Sequence, residues 1–217
     1  KLLPEQVELI SGPGCPVCVT QVGFIDEAIY LALERQVTIC TFGDLVRVPG
    51  TNMSLAGARE KGAKIRIVYS PVDAKEYAKE HRKEQVTFLS VGFETTTPSA
   101  CLSVKKAREE GLTNYSILTA NKTMPQAYEA LKGSADIFLY PGHVNAITGT
   151  KLCEELAKEG VSGVVAGFTA KELLTALAVA LARFQEGRPF FVNCYPRVVT
   201  ENGSPQAQKL VEEMMEP

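Results

Sequence analysis

Apolar runs of strand length recur along this chain at residues 7–10, 37–41, 64–69, 86–91, 115–120, 135–140 and 161–166. Most are separated by stretches with helical spacing, such as Phe24, Ala28, Leu31 and Ala32, or Leu173, Leu174, Leu177 and Leu181. Strands that alternate with helices must be joined by crossovers, which makes neighbouring strands parallel and lays helices on the sheet faces. Local signals mark several of the helix ends. Ser70-Pro71-Val72-Asp73 reads as an N-cap, a proline at the first helical position and an acid in the first turn. Gly62, Gly111 and Gly160 follow periodic segments, where helix-ending glycines stand.

The predicted fold class is therefore α/β, with two similar Rossmann-like parallel-sheet units facing each other across a cleft. A polar joint, His81-Arg82-Lys83-Glu84-Gln85, suggests the division. Residues 1–83 form the first unit, 84–190 the second, and 191–217 a tail with a helix from about Pro205. At 217 residues, 45% hydrophobic and 22% charged, the chain can bury roughly 70% of its unfolded surface without disulfide staples. A net charge of -2, with Lys and Arg scattered, gives no electrostatic footprint for nucleic acid. The longest apolar stretch, residues 173–182, is about half what a bilayer crossing needs. No secretory pattern opens the chain, so no membrane association and a cytoplasmic location are expected. The first residue is Lys1, and the chain reads as a piece of a longer protein.

Chemistry concentrates where strands end. Gly12-Pro13-Gly14-Cys15-Pro16-Val17-Cys18 puts a Cys-x-x-Cys pair where the run at 7–10 is expected to turn into a helix. A thiol at a helix N-terminus is biased toward thiolate, which makes it a better nucleophile, redox partner or metal ligand. Cys40, Cys101, Cys153 and Cys194 fall in strand, helix or loop patterns that suit small core residues and do not complete a zinc set. The glycines of this loop fail as a nucleotide fingerprint, because Val17 stands at the third glycine position and Pro13 and Pro16 remove amide donors.

Other polar loops follow the later strands: Thr41-Phe42-Gly43-Asp44 with Arg47, Glu94-Thr95-Thr96, Lys122, and His143 with Asn145. In parallel sheets the carboxyl ends of strands face the ligand crevice, so these loops are expected to converge. Two readings stay open for several of them. The threonines around Glu94 suit helix capping or ligand contact, and Asp44 with Arg47 suits a loop ion pair or a site. His143 fits an acid, base or ligand, while His81 belongs to a solvated helix end.

Taken together, Gly12-Pro13-Gly14-Cys15-Pro16-Val17-Cys18-Val19-Thr20, Cys40-Thr41-Phe42-Gly43-Asp44, Arg47-Val48-Pro49-Gly50, Val68-Tyr69-Ser70-Pro71, Gly92-Phe93-Glu94-Thr95-Thr96 and Pro141-Gly142-His143-Val144 resemble the HypD family of hydrogenase maturation factors. The resemblance runs through essentially the whole chain. It implies a scaffold that builds the Fe(CN)2CO unit of [NiFe]-hydrogenases with the small chaperone HypC, using cyanide supplied by HypE with HypF. It further implies that Cys15 and Cys18 are a thiol–disulfide redox pair. The backbone amides after Gly14, the hydroxyls of Thr41 and Thr95, and His143 would then hydrogen-bond cyanide on iron.

Iron and a [4Fe-4S] cluster belong to the full-length family. Their ligands, a Cys-Gly-Gly-His-Thr-His segment and a C-terminal cysteine domain, have no counterpart within residues 1–217, so no metal site is expected in this chain. Asn121 stands where many members have histidine. The alternatives are a thioredoxin-like protein disulfide oxidoreductase and a docking module without chemistry.

Overall fold

The computed structural model describes residues 3–216, and these divide into two compact units. One comprises Pro16–Thr123 with the segment from Ser204 onward; the other comprises the segment up to Cys15 with Met124–Gly203.

In the first of these, α1 (Val22–Glu34), β1 (Thr38–Thr41), a 3-10 helix (Gly43–Arg47), α2 (Leu55–Glu60), β2 (Ile65–Ile67), α3 (Pro71–Glu80), β3 (Val86–Ser90), α4 (Thr97–Glu109) and β4 (Tyr115–Thr119) follow in order. The strands make one parallel sheet in the order β2-β1-β3-β4. Side chains alternate across a strand, so each central strand feeds two cores. Ile39 of β1 and Leu89 of β3 pack with Ile25, Ala28 and Ala32 of α1 and Leu55 of α2. On the opposite face Cys40, Val86 and Phe88 pack with Ala74 and Ala78 of α3. All of β3 is buried, as a strand covered on both sides must be.

The local signals act as read. Ser70 Oγ accepts the Asp73 N–H at 3.1 Å with Pro71 at the helix start, and Gly62, Gly111 and Gly160 take positive φ after their helices.

Two expectations meet a different structure here. Residues 7–10 form no strand, and Leu9 and Ile10 are 58% and 69% exposed. The joint expected to separate two units near residue 83 lies inside this sheet. Thr38 of β1 is in register with Val86 of β3, so the strands on either side of the joint are direct neighbours.

The other unit holds α5 (Met124–Ala130), β5 (Ile137–Pro141), α6 (Gly142–Thr148), α7 (Lys151–Lys158), β6 (Ser162–Ala166), α8 (Ala170–Phe184) and β7 (Phe191–Asn193). Its parallel sheet runs β5-β6-β7. Val164 and Ala166 of β6 pack against Ala176 and Ala180 of α8. The region expected as a tail from residue 191 therefore supplies an edge strand to this sheet. The expected terminal helix, α9 (Pro205–Met214), forms and packs on α4 in the first unit. Among the described residues, no helix is long and apolar enough to cross a membrane.

One buried charge shapes the pH response of the first unit. Lys75 is 1% exposed; burial opposes its charge, but hydrogen bonds to Glu110 and Glu76 outweigh that and hold its pKa above the usual value. The hydrogen bond from Lys75 lowers Glu110 to about 2, helped by Lys79. An acid depressed on folding stabilises the fold above its unfolded value near 4.5 and loses that contribution as pH falls toward about 2. Urea unfolding of wild type and Glu110→Gln is thus expected to differ most at about pH 6 and to converge near about pH 2. A difference that does not change with pH would contradict this pairing.

Candidate functional site

The Cys-x-x-Cys segment is a compact turn with its own hydrogen bonds. The Gly14 N–H reaches Gly12 O at 2.8 Å; the Thr20 N–H reaches Val17 O at 3.2 Å, and its hydroxyl donates to Pro16 O at 2.9 Å. Cys15 and Cys18 are both disulfide-bonded, whereas Cys40, Cys101, Cys153 and Cys194 are free thiols. Cys15 is half-buried and Cys18 exposed, so solvent reaches this loop. Burial raises the four free thiols, Cys40 and Cys153 to about 11 and Cys101 and Cys194 in the same direction. At neutral pH those four stay protonated and unreactive.

The helix after this loop starts later than its sequence suggests. Helix α1 begins at Val22 with Gln21 as its cap, so Cys18 precedes the first turn and the helix dipole does not act on it at close range. Exposure of the loop, not a helix terminus, sets the environment of the sulfurs. A β-carbon at Gly12 or Gly14 would meet no atom within 4 Å.

In the four-stranded unit, three of the loops singled out by sequence emerge together from the carboxyl edge of the sheet. Thr41 ends β1 and is buried, and Phe42 sets its ring edge-on to Phe88 at 5.3 Å. Gly43, Asp44 and Arg47 follow as the exposed residues of a 3-10 helix whose Leu45 and Val46 are buried. Asp44 and Arg47 make no ion pair with each other among the described residues.

After β3, the Thr96 and Thr97 hydroxyls both donate to Phe93 O, at 3.3 and 2.9 Å, rather than capping α4. That leaves Thr95 exposed and Glu94 half-buried on the outer turn. A β-carbon at Gly92 would fall 2.9 Å from Thr96 Cβ, so glycine is required for the turn to close. The β4 loop is tied to it: the Lys122 N–H donates to Gly92 O at 3.0 Å, the Asn121 amide donates to Thr97 Oγ1 at 2.5 Å, and Ser90 Oγ donates to Asn121 Oδ1 at 2.8 Å. The amide at 121 thereby bridges two strand ends.

In the three-stranded unit, β5 runs to Pro141 and α6 starts at Gly142, which puts His143 and Asn145 on a helix instead of a loop. His143 is exposed and stacks on Phe168, with ring centroids 4.1 Å apart and planes 29° apart. Asn145 is buried, and its amide donates to Gly149 O at 2.9 Å and Cys153 Sγ at 3.3 Å. It ties α6 to α7.

Sequence reading passed over Phe168, Glu172, Tyr195 and Arg197, which gather at the carboxyl ends of β6 and β7 near His143. One signal was available: Thr169-Ala170-Lys171-Glu172 has capping-box spacing, and the box forms at the start of α8.

Among the described residues, no group of three or more His, Cys, Asp and Glu is placed to hold a metal ion. The four-stranded unit thus presents hydroxyl and amide donors at its parallel strand ends, and the three-stranded unit, taken by itself, presents the exposed imidazole of His143.

The model of the HypD family, described as hydrogenase formation hypA family, matches residues 1–217. The hydrogenase maturation factor HypD of Cupriavidus necator is 39% identical over 228 residues, covering 100% of this chain and 60% of the relative. HypD of Rhodobacter capsulatus is 42% identical, covering 94% and 55%, and HypD of Escherichia coli 38% identical, covering 97% and 58%. The chain belongs to the HypD family of hydrogenase maturation factors. It spans about 60% of the length of the curated relatives it matches.

Proposed function

We propose that this chain is the redox-active core of a scaffold that, with HypC, assembles the Fe(CN)2CO centre of [NiFe]-hydrogenases in the cytoplasm. Cyanide would arrive from HypE, working with HypF, and iron is cargo carried with ligands from outside this chain. The observation that carries the reading is the disulfide-bonded Cys15 and Cys18 in a solvent-accessible loop, alongside three buried thiols and the half-buried Cys194, all held protonated. When the reduced pair closes to the disulfide it releases two electrons and two protons. Reopening the disulfide takes two electrons and two protons from a cellular reductant of suitable potential.

The polar groups around strand ends suit the ligands of such a cargo. The Thr95 hydroxyl in the four-stranded unit and, each by itself, the backbone amides after Gly14 and the His143 imidazole can donate hydrogen bonds to cyanide nitrogen, whereas Thr41 is fully buried with its hydroxyl on Phe42 O and is withdrawn from that role. Asp44, Arg47, Glu94, Thr96 and Lys122 are further polar groups of the strand-end loops of the four-stranded unit. Full-length protein with His143→Ala and Thr95→Val is expected to hold less iron-cyanide, read by the infrared bands of cyanide and CO. Undiminished bands would remove the ligand-contact role and leave only the redox one.

A further inference from the structure

The loop between β6 and α8 is organised by one carboxylate. Glu172 Oε2 accepts the Phe168 N–H at 3.1 Å, the Thr169 N–H at 3.0 Å and the Thr169 hydroxyl at 3.0 Å. Its other oxygen, Oε1, accepts Arg197 Nε at 2.9 Å and Nη2 at 2.7 Å. The Arg197 guanidinium in turn lies 4.8 Å from the centroid of the Tyr195 ring. A capping box needs only Thr169 and the Glu172 contact to its backbone; the Phe168 N–H and Arg197 are additional.

Space around the carboxylate is committed to it. A β-carbon at Gly167 would lie 2.4 Å from Glu172 Oε2 and 2.8 Å from Tyr195 Cδ2. The same Tyr195 ring comes within 2.6 Å of a β-carbon built at Gly142, the residue before His143. Glycines at 142 and 167 therefore let the ends of β5 and β6 close on Tyr195, with Glu172 in the remaining room.

The consequence reaches His143. Phe168 is 55% exposed, and an aromatic ring so exposed has little packing to fix it. Its backbone is nevertheless held by Glu172, and its ring lies 4.1 Å from the imidazole of His143. Stacking engages the face of the imidazole and leaves the ring nitrogens free to meet a ligand edge-on. We propose that Glu172, anchored by Arg197, is a positioning residue that holds Phe168 as a platform for the imidazole of His143. The inference rests on reading His143 as a ligand-facing group, and its geometry can be tested apart from that reading. Low protonation affinity supports it: backbone hydrogen bonding from Thr169, then Arg197, brings Glu172 to about 2, so the anchor is charged at working pH.

The test uses full-length protein labelled with 13C-histidine, in which His81 and His143 are the histidines of this region and His143→Ala assigns the signals. Phe168→Leu removes the ring current and is expected to move the His143 Cε1–H resonance downfield. Glu172→Gln should move it the same way, the double variant should go no further than Phe168→Leu, and His81 should stay in place. Movement with Phe168→Leu but none with Glu172→Gln overturns the positioning role, and no movement with Phe168→Leu overturns the stack itself. If Glu172→Gln unfolds the three-stranded unit, read as lost hydrogen-exchange protection in β5, β6 and β7, Arg197→Ala keeps the capping box and must still move His143; a fixed resonance there also overturns the proposal. Iron-cyanide loading of His143→Ala is measured alongside. Full loading would remove the ligand-facing reading while leaving the geometric one to stand on the spectra.

Discussion

Serine at both Cys15 and Cys18 is expected to end iron-cyanide assembly by the full-length protein while leaving its circular dichroism and its binding to HypC unchanged. Cys18 is exposed and Cys15 half-buried, so exchanging sulfur for oxygen creates no cavity of consequence. What it removes is the disulfide, and with it the two-electron step proposed for this chain, because the remaining thiols, three buried and Cys194 half-buried, are held protonated. Infrared detection of the cyanide and CO bands after co-purification with HypC reads the outcome. Undiminished bands would reduce this loop to a docking element, and lost HypC binding would make the cysteines structural.

The second large effect is on the fold. Gly149 stands between α6 and α7 at φ 84° and ψ -166°, a backbone region open essentially to glycine alone. A β-carbon there would also lie 2.2 Å from Glu201 O and 2.9 Å from Asn202 C, and backbone atoms cannot swing aside as a side chain can. The Thr150 N–H bonds to Glu201 O at 3.0 Å, and Asn145 holds the Gly149 carbonyl, so the strand of contacts is fixed from both sides. Strain of about 1–3 kcal/mol and overpacking of about 1–3 kcal/mol add to a destabilisation by Gly149→Ala of about 2–6 kcal/mol. Urea unfolding should show it, with early loss of hydrogen-exchange protection in β5, β6 and β7. A midpoint within error of wild type would contradict the close approach.

How much of this was legible in the chain depends on whether a signal is local. The runs that became β1, β3 and β6 were readable because a strand covered on both faces is mostly apolar, as Val86–Ser90 is with Val86, Phe88 and Leu89 among five buried residues. The caps at Ser70 and the glycines after helices were readable for the same reason: a few adjacent residues hold the whole signal. Strand β7 was not, since Phe191–Asn193 is too short to carry a period and becomes a strand by pairing with Gly163 to Val165. The run at 7–10 has strand composition but makes no ladder, because apolar content does not provide a partner.

The same limit applies to the division of the chain. A charged joint at residues 81–85 looks like a linker, yet the pairing of Thr38 with Val86 crosses it. At the site, residue types announced the Cys-x-x-Cys loop, the Gly92 turn and His143. Sequence spacing could suggest Glu172 through its capping box, but Arg197 and Tyr195 reach it only through the parallel order β5-β6-β7. The helix start at Val22 was misplaced for a local reason: the Pro16–Val19 turn bonds to itself through Thr20, which delays α1 beyond both cysteines.

The central claim is that Cys15 and Cys18 form a working redox pair, and an anaerobic thiol–disulfide titration tests it most directly. Alkylation and mass spectrometry across poised thiol buffers would follow the two sulfurs. The account predicts a reversible two-electron midpoint between about −200 and −320 mV, within reach of cytosolic reductants. A pair that stays reduced across that whole range, or that will not close at all, would contradict it.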